Sequence, residues 1–132
     1  MKIVGTGSCL PQRVVSNDDL AAIMDTSDEW ISSRTGIRNR HIATTETTTS
    51  LACDAVKSAL QDAGIDGSEI DLIIAASVST DKIVPSLACQ IQAEIGAGSA
   101  VAFDINAACS GFLFGLATAD VYFSPADCRW QS

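Results

Sequence analysis

Apolar and polar positions alternate along this chain in patterns that change abruptly from segment to segment. Positions 51, 52, 55, 56, 59, 60 and 63 are apolar with a period of about 3.6, which predicts an amphipathic helix that Gly64 ends. Residues 71–79 form an apolar run without alternation, the mark of a strand covered on both faces and so of a parallel sheet. Residues 101–105 read as a second buried strand, and residues 2–6 as a first strand leading into Gly5-Thr6-Gly7. Between them, Pro85 suits a first helical position, with Leu87, Ile91 and Ile95 after it and Gly96 closing the helix. Ser16-Asn17-Asp18-Asp19 can cap a short helix carrying Leu20, Ile23 and Met24. Ser27 begins another, containing Trp30 and Ile31, which Gly36 stops. The Thr-rich loop 44–49 is expected to cap the helix after it.

After the strand at 101–105, the residues Phe112, Leu113, Phe114, Leu116, Ala117, Ala119, Val121 and Tyr122 leave a helix with no polar face, which predicts a core helix. Strand and helix in alternation imply an α/β layered fold: a mostly parallel sheet, right-handed crossovers and a buried central helix. Pro125 stops the last helix, and residues 126–132 have no periodicity. The expected organisation is one half-domain over residues 1–123 and an unmatched tail over 124–132. With three clear strands and a terminal helix that wants cover on every side, the chain reads as truncated.

Composition removes several functions. Sixteen acidic residues against eight basic ones give a net charge of -8, with no basic cluster beyond Arg34, Arg38 and Arg40, so a nucleic-acid partner is not expected. Apolar runs fall far short of the ~20 residues of a membrane span, and the first nine residues have no signal-peptide core. Gly5-Thr6-Gly7 does not continue into a dinucleotide motif, because Leu10 stands where a glycine would be needed. Five cysteines, with no C-x-x-C and no Cys/His cluster, argue against a zinc site or a disulfide framework and for a reducing, cytoplasmic setting. Asp18-Asp19 and Asp28-Glu29 read as solvated helix ends.

The chemistry-bearing feature is Cys109, in Asn106-Ala107-Ala108-Cys109-Ser110-Gly111-Phe112, where a strand ends and the apolar helix begins. The first turn of a helix has unsatisfied N–H groups and a partial positive charge, which stabilise a thiolate with fixed dipoles. Gly111 lets a substrate approach the backbone, and the cysteine's own N–H could face an oxyanion. Local spacing alone leaves two readings open: a nucleophile, or a small buried cysteine of no chemical importance. Cys53 and Cys89 lie within helical patterns and read as core, while Cys9 has no motif.

From residue 2 to about residue 123 the chain resembles the amino-terminal part of the β-ketoacyl-acyl-carrier-protein synthase III family of thiolase-fold condensing enzymes. The resemblance is carried by Gly5-Thr6-Gly7-Ser8 with Leu10-Pro11, Asp25-Thr26-Ser27-Asp28-Glu29-Trp30-Ile31, Arg34-Thr35-Gly36-Ile37-Arg38, Arg40-His41-Ile42-Ala43, Pro85-Ser86-Leu87-Ala88-Cys89-Gln90-Ile91-Gln92, and Ala107-Ala108-Cys109-Ser110-Gly111-Phe112. It implies that Cys109 takes an acetyl group from acetyl-CoA, or another acyl group from its CoA ester, as a thioester. Malonyl-acyl-carrier protein then loses carbon dioxide and its carbanion attacks the acyl enzyme, the first condensation of fatty-acid synthesis. It also implies that Trp30 stacks on the adenine of CoA, that Arg34 contacts its phosphate end and that Thr26 lies nearby, with no permanent cofactor and a homodimeric assembly. Spacing alone allows Trp30 and Arg34 to be a packing pair instead. His41, the only histidine, matches a family position that is not the catalytic one. The histidine and asparagine that the family uses in decarboxylation lie in its second half, so little or no condensation is expected of this stretch by itself. Two other outcomes are a non-catalytic fragment that pairs with a full-length homologue, and a secondary-metabolite acyltransferase of the same superfamily.

Overall fold

The computed structural model describes residues 2–123, so the tail expected over 124–132, with Pro125 and Cys128, lies outside the described residues. The chain divides into two compact units: Cys9–Thr47, and the first eight residues together with the chain from Thr48 onward.

In the Cys9–Thr47 unit, strand β1 (Arg13–Ser16) runs into helix α1 (Asn17–Ala21) through Ser16, the expected cap. The Ser16 hydroxyl accepts from the Asp19 amide at 3.1 Å and the Asp19 carboxylate accepts from the Ser16 amide at 2.8 Å, a reciprocal pair that satisfies two exposed donors. Helix α2 (Asp28–Thr35) begins where its sequence predicts, with the Trp30 amide donating to the Ser27 hydroxyl at 3.1 Å, and ends at Gly36 in the left-handed region (φ 73°). Strand β2 (Asn39–Ile42) then pairs antiparallel with β1, Arg13 opposite Ile42 and Ser16 opposite Asn39. This pair was not among the expected strands, because each is only four residues long and neither has the apolar alternation that marks a half-buried strand.

No residue of α2 is fully buried and Ile31 is only partly so, which leaves the helix a small hydrophobic face. A polar centre adds to it. Asn17 is 1% exposed, the one buried polar residue among those described, and its side chain touches Asp28, Ile37 and Arg40. Elsewhere in the unit the Glu46 carboxylate accepts from the amides of Thr44 and Thr45 and from that of Gln12. Those amide hydrogen bonds, Thr44's first, hold the Glu46 carboxyl down at about 2, against an ordinary value of 4.5. The ionised form is the one bound, so the tie is complete above pH 4.5 and is lost as pH falls towards 2. The amide resonance of Gln12 is expected to titrate with a midpoint near 2 in an NMR pH series; a midpoint at 4.5 contradicts the contact.

The second unit is the α/β layer that the apolar runs predict. Helix α3 (Thr48–Ala63) is followed, after Gly64 at φ 67°, by a short 3-10 turn at Gly67–Glu69 and strand β3 (Leu72–Ala76). Helix α4 (Leu87–Glu94) leads to strand β4 (Val101–Ile105), which lies parallel to β3 with Leu72 opposite Val101 and Ala76 opposite Ile105. A second 3-10 turn, Ala108–Ser110, opens helix α5 (Gly111–Phe123). The core joins Cys53, Ala75, Leu87, Ala88 and Ile91, with Val56, Ile73 and Ala102 packed against it.

Two local expectations are corrected. Residues 2–6 form no strand: a strand needs a neighbouring ladder, and the segment lies instead on α3, where Gly5 and Gly7 approach the backbone of Ala55 and Ala59. Pro85 is not the first helical residue of α4; Ser86 is the N-cap, accepting from the Cys89 amide. The Asp104 carboxylate on β4 also accepts from the Leu87 and Ala88 amides, at 2.8 and 2.7 Å. At the start of α3, within the threonine run, the Asp81 carboxylate accepts from the Thr48 and Thr49 amides, so a residue from a distant loop adds anionic capping there. The all-apolar α5 faces the sheet through Gly111 and Gly115, next to Ala76, Ile74 and Ile105. Phe112, Leu113, Phe114 and Phe123 remain more than half exposed, since none of the described residues covers that side.

Candidate functional site

Cys109 occupies the 3-10 turn between β4 and α5. The turn is closed by the Ser110 amide donating to the Ala107 carbonyl at 3.0 Å and by the Gly111 amide donating to Ala108. Ala108 has φ 44°, the left-handed region, where a residue with a Cβ costs about 1–2 kcal/mol. Sheet pairing on one side and helix packing on the other hold it there. Ser77 donates to the Ile105 carbonyl at 3.3 Å, extending the β3–β4 ladder to the end of β4, while a Cβ on Gly111 would stand 3.0 Å from that of Ala76. Cys109 thus projects beyond the carboxyl end of a parallel strand, where open α/β sheets bind their ligands.

Among the described residues four cysteines are free, and they differ sharply. Cys53 is buried, and burial followed by the nearby Glu94 charge pushes its thiol up, away from the nucleophilic form. Cys9 and Cys89 are partly buried, and the Cys89 sulfur lies 3.8 Å from the Ala102 carbonyl. Cys109 alone of the four is exposed. An exposed thiol on a rigid turn at a helix entrance can accept an acyl group and return it.

Thr26, Trp30 and Arg34 come together in the Cys9–Thr47 unit. Asp25, Thr26, Ser27 and Trp30 line a surface pocket of ≈ 340 Å³. Ser27, Glu29, Trp30, Ser33 and Arg34 line another of ≈ 290 Å³, so Trp30 borders both. Trp30 is 54% exposed. The Arg34 guanidinium carbon stands 4.5 Å from the centre of its ring, a cation–π geometry, and Arg34 also donates to the Trp30 carbonyl at 3.3 Å. The packing pair that spacing allows is therefore formed, and it leaves an aromatic surface and a cation side by side.

His41 is engaged through Nδ1 with the Pro11 carbonyl at 2.6 Å. Among the described residues no group of three or more His, Cys, Asp or Glu side chains could hold a metal ion, and no helix is long and apolar enough to cross a membrane. Sequence reasoning missed Asn17 and Arg40 as ties to α2, and Glu46 as a tie between Gln12 and the Thr44–Thr45 turn. Asn17 stood inside a capping run, and nothing local distinguishes a capping-run asparagine from a buried one.

No protein-family model matches the chain. Over 123 residues, 93% of this chain, it is 53% identical to the β-ketoacyl-[acyl-carrier-protein] synthase III of Streptococcus sanguinis (strain SK36). Among solved structures it is similar to the 3-oxoacyl-[acyl-carrier-protein] synthase III of Aquifex aeolicus VF5, at 51% identity and a TM-score of 0.88, covering 92% of this chain and 39% of that one. It is similar also to the priming β-ketosynthase of the R1128 polyketide biosynthetic pathway, at 40% identity and a TM-score of 0.86, covering 91% and 36%. The chain spans 38% of the length of the Streptococcus relative.

Proposed function

We propose, on the premise that this chain is a homologue of β-ketoacyl-[acyl-carrier-protein] synthase III, that it supplies the acyl-accepting half of a condensing reaction. In the first step the Cys109 sulfur attacks the thioester carbonyl of an acyl-CoA. The carbonyl oxygen takes up negative charge, the carbon–sulfur bond to CoA breaks, CoA leaves as its thiolate and takes a proton, and the acyl group remains on Cys109 as a thioester. One hard carbon–carbon bond formation becomes two easier transfers, because a thioester is formed and broken at low cost. In the second step, assigned to the full length of the relatives, malonyl-acyl-carrier protein loses carbon dioxide and its carbanion displaces Cys109. A homodimer is part of the same proposal. The free cysteines support a reducing, cytoplasmic setting.

The observation that carries the reading is that the exposed thiol is the one on the constrained strand-to-helix turn. Thr26, Trp30 and Arg34 support CoA as the acyl carrier. A half-exposed indole suits a purine face, and a guanidinium beside it suits a phosphate. Titration of the chain with CoA, followed by calorimetry, tests this part. Trp30→Ala and Arg34→Ala are each expected to weaken binding about tenfold or more, the loss of one stacking or charge-assisted contact. Affinities equal to the parent's in both variants would remove the clamp from the proposal.

A further inference from the structure

Helix α2 carries both Trp30 and Arg34, yet none of its residues is fully buried and only Ile31 among its apolar residues is partly so, which leaves polar contacts a large share in fixing where those two side chains point. The hydrogen bonds of one amide answer that need. The Asn17 side-chain nitrogen donates to the Asp28 carboxylate at 2.7 Å and to the Ile37 carbonyl at 2.8 Å. Asp28 is the first residue of α2, and Ile37 comes directly after the Gly36 that ends it. The Asn17 backbone amide donates to the Arg38 carbonyl at 3.1 Å, a second tie to the exit of the same helix. The remaining valence, the Asn17 side-chain oxygen, accepts from Arg40 at 2.5 Å, and Arg40 also donates to the Val15 carbonyl at 3.1 Å across the β1–β2 pair. All of the side chain's donors and its oxygen are thus used, at 1% exposure, and both ends of α2 are tied to one point.

We infer that Asn17 is a positioning residue for the CoA clamp: by joining the entrance and the exit of α2 to the β1–β2 pair, it sets the angle at which Trp30 and Arg34 meet the nucleotide. It touches no substrate and acts only through the helix. This inference rests on the proposed CoA reading of Trp30 and Arg34, and its test separates the two.

The probe is CoA itself, titrated against the whole chain, with far-UV circular dichroism on every variant. Trp30→Ala tests the clamp: if the parent binds CoA and this variant binds equally well, the clamp reading fails, and the positioning role of Asn17 goes with it. If Trp30→Ala weakens binding, Asn17→Ala is expected to weaken it about tenfold as well, with most of the chain's helical dichroism retained. Asn17→Asp places an acceptor against the Asp28 carboxylate and is expected to bind as weakly. Adding Asp28→Asn to it restores a donor and acceptor between the same two positions, and this double variant is expected to regain a substantial part of the affinity. A loss caused by general unfolding is not repaired by that exchange. Parent-like affinity in Asn17→Ala overturns the inference, and so does a double variant that folds but binds no better than Asn17→Asp.

Discussion

Cys109→Ala is expected to abolish acylation: after incubation with acetyl-CoA, mass spectrometry of the parent chain shows a thioester adduct at residue 109, and the variant shows none. The effect is the largest expected, because without the sulfur no covalent intermediate can form, and removal of a nucleophile lowers turnover by roughly three or more orders of magnitude. The other cysteines provide the internal control. Among the described residues Cys53 is buried with its thiol pushed up, and Cys9 and Cys89 are only partly open, so in a Cys128→Ser background a thiol reagent should consume Cys109 first. Equal acetylation of parent and Cys109→Ala would remove the nucleophile assignment. Ser110→Ala, one residue further on, is expected to acylate like the parent.

Gly67→Ala is expected to destabilise the chain by about 3 kcal/mol and to lower its melting temperature by about 10 °C. An added Cβ would lie 1.9 Å from the Ile95 carbonyl oxygen and 2.9 Å from its carbon, both backbone atoms at the end of α4 that no rotamer change can move. Gly7→Ala should behave similarly, since its Cβ would come within 2.1 Å of the Ala55 carbonyl oxygen. Gly115→Ala is the control. Its nearest neighbours would be side-chain methyl groups of Ile105 and Ile74 at 3.6 and 3.8 Å, ordinary contact, and alanine is the better helix former by about 1 kcal/mol. Thermal unfolding followed by circular dichroism checks all three, and a Gly67→Ala variant that melts with the parent contradicts the close approach.

The sequence made α3, α4, α5, β3 and β4 legible, along with the caps at Ser16 and Ser27 and the stops at Gly36 and Gly64, because each is written in residues near one another. Cys109 was legible for the same reason: strand, turn and helix come in order. What stayed hidden depends on pairings that close over longer distances. The β1–β2 ladder joins two polar segments separated by both α1 and α2. Asp81 caps α3 from 33 positions downstream, and Asp104 caps α4 from 17 and 16 positions downstream. Residues 2–6 have the composition of a strand, but a ladder is a property of two segments and not of one. Trp30 and Arg34 could be read as a pair from their spacing. That they stack on each other, and that their helix hangs from a single buried amide, required the tertiary arrangement of Asn17, Asp28 and Arg40.

A left-handed alanine just before the thiol means that the sulfur takes its bearing from the main chain. Torsions of a cysteine side chain can swing, whereas a kinked peptide clamped between a sheet and a helix cannot, so the point from which the sulfur swings is fixed by the scaffold. On the proposed function, residues around it are then at liberty to vary with the acyl group to be admitted, without shifting the anchor of the sulfur.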